Sequence, residues 1–231
     1  VLLNYVGGKW MPSQAGAKGP VRNPATAETI ALVPMSPAEE VDAAVKAALK
    51  VYPEWRETPV VDRIKPPVKL RDLLLANLDE LARTITNEAG KTYAESKAEM
   101  QRAIENVEVA CGAPILLQGY NNEDIASGID EHMFRQPLGV VAAITPFNFP
   151  GMIPLWFMPY AVAAGNCFLL KPSEKVPLTS QLLFRLCEEA GFPPGVLGLV
   201  NGGKETVDAI LDHPDIKAIS FVGSTPVAKY I

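Results

Sequence analysis

The stretch that decides the fold runs from Gln136 to Leu170 and reads QPLGVVAAITPFNFPGMIPLWFMPYAVAAGNCFLL. It contains no Asp, Glu, Lys or Arg and is long enough to cross a lipid bilayer. Five prolines between Pro137 and Pro159 would, however, remove backbone hydrogen bonds that lipid cannot replace. We therefore interpret the stretch as a buried strand–helix–strand unit and predict no membrane span.

This unit begins a regular alternation of apolar strands and helices. The predicted strands are Gly139–Ile144, Cys167–Leu170, Val196–Val200 and Ala218–Val222. The predicted helices between them are Met152–Ala164, Leu178–Ala190 and Glu205–Leu211. Four such strands indicate an α/β fold with a parallel sheet covered by helices. Ligands bind such sheets beyond the carboxyl ends of the strands, where four polar turns follow: Thr145–Pro150, Lys171–Glu174, Asn201–Gly203 and Gly223–Thr225.

The chain before Pro137 is predicted to be mainly helical. Ser36-Pro37-Ala38-Glu39 has the pattern of a capping box that opens the helix Ala38–Val51. Further helices are predicted at Asp62–Leu78, at Asp79–Ala89 (closed by Gly90) and at Thr92–Leu117. Gly119–Asp130 is predicted to be a loop leading to an extended segment near Glu131–Gln136. The chain thus divides into residues 1–118, 119–137 and 138–231.

The composition describes a folded, mildly acidic protein. The 231 residues include 21 Lys+Arg and 26 Asp+Glu, for a net charge of −5, and 48% are hydrophobic. This balance excludes a disordered chain, and the lack of a basic excess argues against nucleic-acid binding. The opening residues from Val1 lack the basic and apolar regions of a signal peptide.

The cysteines indicate structural thiols in a reducing compartment. Cys111, Cys167 and Cys187 lie far apart, and the chain has only two His, so neither a disulfide framework nor a metal site is predicted. Cys167 falls on a buried strand and the other two on helices, without a His nearby in the sequence. We expect none of them to be a catalytic nucleophile and expect the protein to be cytoplasmic.

Phosphate-binding signatures are weak. The fingerprint G-x-G-x-x-G is absent, and Gly198–Lys204 has the frame GxxxxGK but is followed by Glu205, where a magnesium-binding Ser or Thr is required. Gly223-Ser224, between a strand and a helix, offers backbone N–H groups and a hydroxyl that suit a pyrophosphate. An ordinary helix N-cap is the alternative interpretation.

Two other turns carry candidate binding groups. Lys171 and Glu174, held by an intervening proline, could clasp the two hydroxyls of a ribose, or could form a solvated charged turn. Asn148 stands between Pro146 and Pro150, where its amide could donate to a developing oxyanion or bond to the local backbone.

Taken together, the motifs resemble the aldehyde dehydrogenase superfamily. The resemblance is carried by five motifs in order, namely Glu88–Thr92, Pro146–Pro150, Gly165-Asn166, Lys171–Glu174 and Phe221–Thr225. Met152–Trp156 and His213–Ser224 are most similar to the CoA-acylating methylmalonate-semialdehyde branch. The chain looks like the N-terminal half of a member, with a Rossmann-like parallel sheet and flanking helices, truncated before the catalytic domain. Residues 119–137 would begin an oligomerisation arm, and the branch acts in valine catabolism.

The resemblance implies a binding site for NAD. Thr145 and Phe147 would line the nicotinamide, and Lys171, Glu174 and Lys175 the adenosine ribose. Gly223 and Ser224 would face the pyrophosphate, and Asn148 would be an oxyanion donor. The implied reaction is thiolate attack on the aldehyde, hydride transfer to NAD and release of the acyl group to CoA. Methylmalonate semialdehyde would give propionyl-CoA with loss of carbon dioxide, and malonate semialdehyde would give acetyl-CoA.

Several points limit what the resemblance implies. Ala228 stands where many relatives have Gly, and the family's nucleophilic Cys and general-base Glu lie outside this half, so we expect the chain alone to be inactive. Arg102, predicted among apolar neighbours, could bind the substrate carboxylate or be a solvated helix residue. The family implies a homodimer or homotetramer. A non-catalytic truncated nucleotide-binding relative and a general aldehyde dehydrogenase that uses water remain alternatives.

Overall fold

The computed structural model describes all residues, 1–231, as ten strands and ten helices. The strands are β1 (Asn4–Val6), β2 (Lys9–Met11), β3 (Lys18–Arg22), β4 (Thr29–Pro34), β5 (Asn121–Ala126), β6 (Ile129–His132), β7 (Val140–Ile144), β8 (Cys167–Lys171), β9 (Leu197–Leu199) and β10 (Ile216–Phe221). The helices are α1 (Ala38–Glu57), α2 (Val60–Arg63), α3 (Lys65–Ala76), α4 (Leu78–Ala89), α5 (Tyr93–Cys111), α6 (Ala113–Leu116), α7 (Met152–Ala163), α8 (Leu178–Ala190), α9 (Lys204–Asp212) and α10 (Thr225–Tyr230).

The main sheet has six strands in the order β10-β7-β8-β9-β1-β2. The first four are parallel and are the four strands predicted, so the α/β class and the parallel sheet are confirmed. The sheet is mixed because β1 pairs antiparallel with β9 and β2 antiparallel with β1. The strands β3 with β4, and β5 with β6, form two small separate sheets.

Helices cover both faces of the sheet. The crossovers through α7 and α8 run in the same direction along the sheet, so the right-handed rule places both helices on one face. The crossover through α9 runs back to β10 and lies on the other face, where α9 packs against α1. A further layer formed by α3, α4 and α5 packs on α7 and α8. The four apolar residues predicted for β8, Cys167–Leu170, are buried, and so is Lys171, which the prediction placed in the following turn.

The first third of the chain departs most from prediction. The short strands β1 to β4 were not predicted at all. The capping box at Ser36 was wrong, because the Ser36 Oγ accepts from Asn4 Nδ2 at 2.8 Å and Pro37 is the N-cap without a side-chain bond. A capping box forms instead between Thr92 and Glu95, at the start of α5.

Two predicted helices are each broken once, and one predicted loop is a hairpin. Asp62–Leu78 breaks at Ile64, ahead of the prolines that begin α3, and Thr92–Leu117 breaks at Gly112, ahead of Pro114. Gly119–Asp130, predicted as a loop, contains β5 and most of its hairpin with β6. The stretch Gln136–Leu170 does divide into strand, helix and strand, and no helix of the structure is long and apolar enough to traverse a membrane.

Asn166 ties the start of β7 to the turn before β8. Its Oδ1 accepts from Leu138 N at 2.7 Å and Gly139 N at 3.2 Å, and its Nδ2 donates to Ala161 O at 3.2 Å. Asn166 is buried, so its removal would leave the Leu138 and Gly139 amides without this acceptor, and the Gly139 amide lies away from water.

We predict that Asn166→Ala lowers the free energy of unfolding by about 2–4 kcal/mol, because it leaves buried backbone groups unpaired. Asn122→Ala is the control, since the Asn122 side chain bonds Glu131 on the exposed hairpin and should change stability by less than about 0.5 kcal/mol. Chemical denaturation measures both. Equal effects of the two substitutions would contradict the bridging role.

Candidate cofactor-binding site

The turns that follow β7, β8 and β10 meet at one edge of the sheet. Parallel pairing places Ile144 of β7 beside Lys171 of β8 on one side and Phe221 of β10 on the other. The chain therefore leaves three neighbouring strands at the same level. A cavity of about 680 Å³ opens beyond them, at the carboxyl edge where α/β sheets bind ligands.

Most of the predicted site residues line this cavity. They are Thr145, Phe147, Asn148, Lys171, Glu174, Gly223 and Ser224. Lys175 lies in an adjoining cavity of about 330 Å³ that shares Phe147, and its Nζ is 5.0 Å from the centroid of that ring. A larger cavity, of about 830 Å³, lies beside α1 and Pro193-Pro194, and none of the predicted binding residues lines it.

Lys171 carries a buried amine into the cavity. It ends β8 with a side chain only 5% exposed, and its Nζ lies 3.4 Å from Glu174 Oε2, its one side-chain partner. Burial lowers the pKa of Lys171, and the nearby Glu174 carboxylate opposes that shift. A solvated charged turn does not describe Lys171, because its side chain is buried, and its ammonium group still has donors without a partner in the protein.

The turn Thr145–Pro150 presents an amide on a short, stiff segment. Thr145 is buried, and its N–H donates to Lys171 O at 3.2 Å, which joins this turn to the end of β8. Asn148 is exposed, and its side chain makes no hydrogen bond to the protein, so the local backbone bond weighed as an alternative is not formed. Its amide donors face the cavity without a partner.

The third turn approaches the cavity through a glycine. A Cβ on Gly223 would lie 2.3 Å from the Phe221 ring, so a larger residue would push that ring out of place. Ser224 is the N-cap of α10, yet its hydroxyl makes no capping bond. The ordinary capping interpretation therefore does not account for this serine. Ala228 lies on α10, beyond the turn.

The fourth turn and the GxxxxGK frame also reach the cavity, through Gly203 and Lys204, but their polar groups have structural partners. Asn201 is buried and its N–H donates to Asn4 Oδ1 at 2.9 Å, which fastens the end of β9 to β1. Lys204 Nζ donates to Asp208 Oδ2 at 2.7 Å and to the Tyr230 hydroxyl at 2.6 Å. The Lys204 amine therefore has two partners within the protein.

Arg102 lies apart from these residues. It stands on α5 with a side chain 72% exposed and paired with Glu105 at 2.7 Å, and it does not line the cavity. The expectation of apolar surroundings was wrong, because the buried stripe of α5 passes through Ala103 and Val107 and leaves Arg102 facing outward.

The three cysteines are free thiols and none lines the cavity. Burial raises the pKa of Cys167 to about 12 and also raises the pKa of Cys187 and Cys111. A thiol that remains protonated at neutral pH is a poor nucleophile.

Residues 10–231 match the model of the aldehyde dehydrogenase family, a span that includes all three turns of the cavity. The chain belongs to the aldehyde dehydrogenase family. It is 51% identical, over its whole length, to malonate-semialdehyde dehydrogenase 2 of Geobacillus kaustophilus and 50% identical to malonate-semialdehyde dehydrogenase of Halalkalibacterium halodurans. It covers 48% and 47% of those two proteins, so the chain spans about half the length of the curated relatives it matches.

Solved structures of the aldehyde dehydrogenase family show the same fold. The methylmalonate-semialdehyde dehydrogenase of Oceanimonas doudoroffii superposes with a TM-score of 0.96 at 44% identity, over the whole of this chain and 47% of that one. A Sinorhizobium meliloti protein, given as a methylmalonate-semialdehyde dehydrogenase and complexed with NAD, superposes with a TM-score of 0.96 at 43% identity and the same coverage. The resemblance to this family is thereby confirmed.

Two buried glutamates near the site were missed by the sequence analysis. Glu88 accepts from Leu178 N at 2.6 Å, from Thr179 N at 2.8 Å and from the Thr179 hydroxyl. It thus caps the amino end of α8, although the sequence showed it only as part of a motif without a role. Glu88 falls on the buried stripe of α4, three residues after Ile85, which signals that it needs a partner; the partner itself lies about ninety residues away.

Glu99 caps the amino end of α7 in the same way. Its Oε1 accepts from Gly151 N at 2.8 Å and Met152 N at 3.1 Å, and its Oε2 accepts from Lys91 Nζ at 2.6 Å. One signal was available: Glu99 falls on the apolar stripe of α5, four residues before Ala103. An acidic residue on a buried stripe requires a partner.

We predict that the Glu88 carboxyl makes stability depend on pH. Burial raises its pKa from 4.5 to about 7, against the opposing hydrogen bonds from Thr179 and Leu178. The folded state therefore binds the proton more tightly than the unfolded chain. Its contribution is complete below about pH 4.5 and is lost as the pH rises through about 7, which lowers the free energy of unfolding by up to about 3 kcal/mol.

Glu88→Gln is neutral at every pH and keeps an acceptor oxygen for α8, so it should lack this loss. Urea unfolding of both proteins at the two ends of that range measures the difference. The same pH dependence in the variant would show that the proton is not bound at Glu88.

Proposed function

We propose that the chain forms the cofactor-binding part of an NAD-dependent, CoA-acylating semialdehyde dehydrogenase. The proposal rests on one observation: Thr145, Asn148, Lys171, Glu174 and Ser224, distant in sequence, line one cavity at the carboxyl edge of the sheet. The family membership and the semialdehyde dehydrogenases among the relatives support an oxidoreductase.

The residues of the cavity suit a dinucleotide. The volume of about 680 Å³ lies in the range of small-molecule sites. In our assignment Lys171, Glu174 and Lys175 hold the adenosine ribose, and Gly223 and Ser224 approach the pyrophosphate. Thr145 and Phe147 line the nicotinamide. The unpaired donors of Lys171 and the close Gly223 backbone support this fit. Bound NAD supplies a hydride acceptor. The complex of the Sinorhizobium meliloti relative with NAD supports the same choice of cofactor.

Asn148 is proposed as an oxyanion donor. When a thiolate attacks the aldehyde carbon, the carbonyl oxygen becomes negatively charged, and a fixed N–H group lowers the energy of that state. Asn148 offers two amide hydrogens that no protein group accepts. The thiolate is proposed to come from the part of the protein outside this chain, because the three cysteines here are remote from the cavity.

The substrate is proposed to be methylmalonate or malonate semialdehyde, and the acyl acceptor CoA. The thioester formed at the nucleophile would pass its acyl group to the CoA thiol, giving propionyl-CoA or acetyl-CoA after loss of carbon dioxide. Arg102 is proposed to bind the substrate carboxylate. Its ion pair with Glu105 is exposed and screened by water, so it is weak enough to exchange for that ligand.

We also propose a cytoplasmic homo-oligomer, a dimer or a tetramer. Every residue of β5 and β6 is exposed, and Phe134 and Leu138 beyond the hairpin are 79% and 63% exposed. Such apolar side chains on a projecting segment favour a subunit contact. Three free cysteines suit a reducing compartment.

We predict that Lys171→Ala weakens NAD binding by about 1–3 kcal/mol, or roughly 5- to 150-fold, because the ribose loses a charge-assisted hydrogen bond. Calorimetric titration of this chain with NAD measures the affinity. Lys97→Ala is the control, because Lys97 pairs with Asp79 on the surface and does not line the cavity. An unchanged affinity in Lys171→Ala would refute the ribose role.

The overall reaction is tested with the full product of the gene that encodes this chain. Incubation with malonate semialdehyde, NAD and CoA should yield NADH and acetyl-CoA, identified by absorbance and mass spectrometry. Free acid without thioester would favour the water-using aldehyde dehydrogenase. Binding of NAD without any NADH would favour a non-catalytic nucleotide-binding protein.

A further inference from the structure

We infer that Glu88 and Glu99 are positioning residues, each of which fixes one of the three turns that carry the proposed site. Glu99 fixes the turn of Asn148, and Glu88 fixes the turn of Lys171 and Glu174. The inference rests on the function proposed for that site, since it assigns these glutamates a task in cofactor binding and in turnover.

The turn of Asn148 is held at both ends. At its start, the Thr145 N–H bonds to the end of β8. At its finish, the Glu99 carboxylate, 1% exposed, binds the first free amides of α7, at Gly151 and Met152. Amides at a helix start have no partner within the helix, so this carboxylate satisfies them and complements the helix dipole.

Lys91 adds a second fastening to the same turn. Its Nζ bonds Glu99 Oε2 at 2.6 Å and lies 3.7 Å from the centroid of the Phe149 ring. The cation thus joins the anchoring carboxylate to the residue next to Asn148. A Cβ on Gly151 would lie 2.3 Å from Met100 Sδ, so the helix start is pressed against α5, which carries Glu99.

The turn of Lys171 and Glu174 is held by the corresponding arrangement. The pairing of β8 fixes Lys171, and Glu88 binds the amides of Leu178 and Thr179 at the start of α8. Only six residues separate these two fixed points, and Glu174 is among them. Displacement of α8 would therefore displace the carboxylate that faces Lys171.

Both anchors stand on one rigid support. Gly90, at a φ of +75°, ends α4 two residues after Glu88, and the capping box of Thr92 and Glu95 starts α5, which carries Glu99. The hydroxyls of Thr86 and Ser96 also lie 3.0 Å apart across the two helices. Both turns are thus anchored to the joined helices α4 and α5, which fixes the distance between them.

The test uses the full gene product and four variants, Glu99→Ala, Glu99→Gln, Glu88→Ala and Glu88→Gln. We expect Glu99→Ala to lower kcat roughly tenfold to a hundredfold while the KM for NAD stays within about twofold, because a misplaced donor affects the reacting atoms. We expect Glu88→Ala to raise the KM for NAD roughly tenfold with a smaller change in kcat. Glu99→Gln should recover much of its loss, since one carboxamide oxygen can accept from both Gly151 N and Met152 N. Glu88→Gln should recover only part, since Leu178 N and Thr179 N bond different oxygens of Glu88.

Hydrogen exchange in the 231-residue chain supplies a readout without catalysis. Each alanine variant should lose amide protection in its own segment, residues 145–152 for Glu99 and residues 172–179 for Glu88. Variants with the same kinetic profile, or exchange that rises uniformly or nowhere, would overturn the inference and indicate ordinary stabilising residues. If the gene product lacks dehydrogenase activity, the proposed function fails and localised exchange alone decides the positioning role. If an alanine variant does not fold, the Gln variant at the same position is compared with the wild type instead. Its hydrogen exchange must then increase only in the segment named for that glutamate.

Discussion

The parallel pairing of β7 with β8 and β10 is the constraint on which the site depends. Its register sets Ile144 beside both Lys171 and Phe221, and only this alignment brings the three following turns to one cavity. A slip of one residue would turn every side chain of a strand to the opposite face. The buried residues of β8 and the Asn166 bridge at the start of β7 oppose such a slip, so packing far from the cavity determines its shape.

Glu88 and Glu99 are buried near the cavity because α7 and α8 begin there without side-chain caps of their own. Neither Gly151 nor Pro177, the N-caps of α7 and α8, supplies a side-chain bond to its own helix. The first amides of both helices are satisfied instead by Glu99 and Glu88 from another part of the chain. A desolvated carboxylate costs free energy that an apolar residue would not. The cost is offset by the helix amides and, at Glu99, by Lys91.

The sequence predicted those parts whose causes are local. The strands β7 to β10 were found because apolar runs punctuated by Gly and Pro indicate buried strands, whereas β1 and β2, with three residues each, are too short to show a period. Lys171 and Asn148 were found because each follows a predicted strand. The roles of Glu88 and Glu99 depend on partners about ninety and fifty residues away, and no pattern within a helix reveals such a pairing.

The rigid support of the Asn148 turn and its exposure both bear on the oxyanion role proposed for Asn148. An oxyanion donor is effective when it is oriented before charge develops, and the turn between Pro146 and Pro150, fastened at both ends, meets that condition. The donor also acts more strongly where water is excluded, yet Asn148 and its neighbours Phe147 and Phe149 are exposed in this chain. In the function proposed above, the chain supplies the oriented donor and a second protein surface covers these residues during the reaction. The relatives are about twice as long and have the length to provide such a surface.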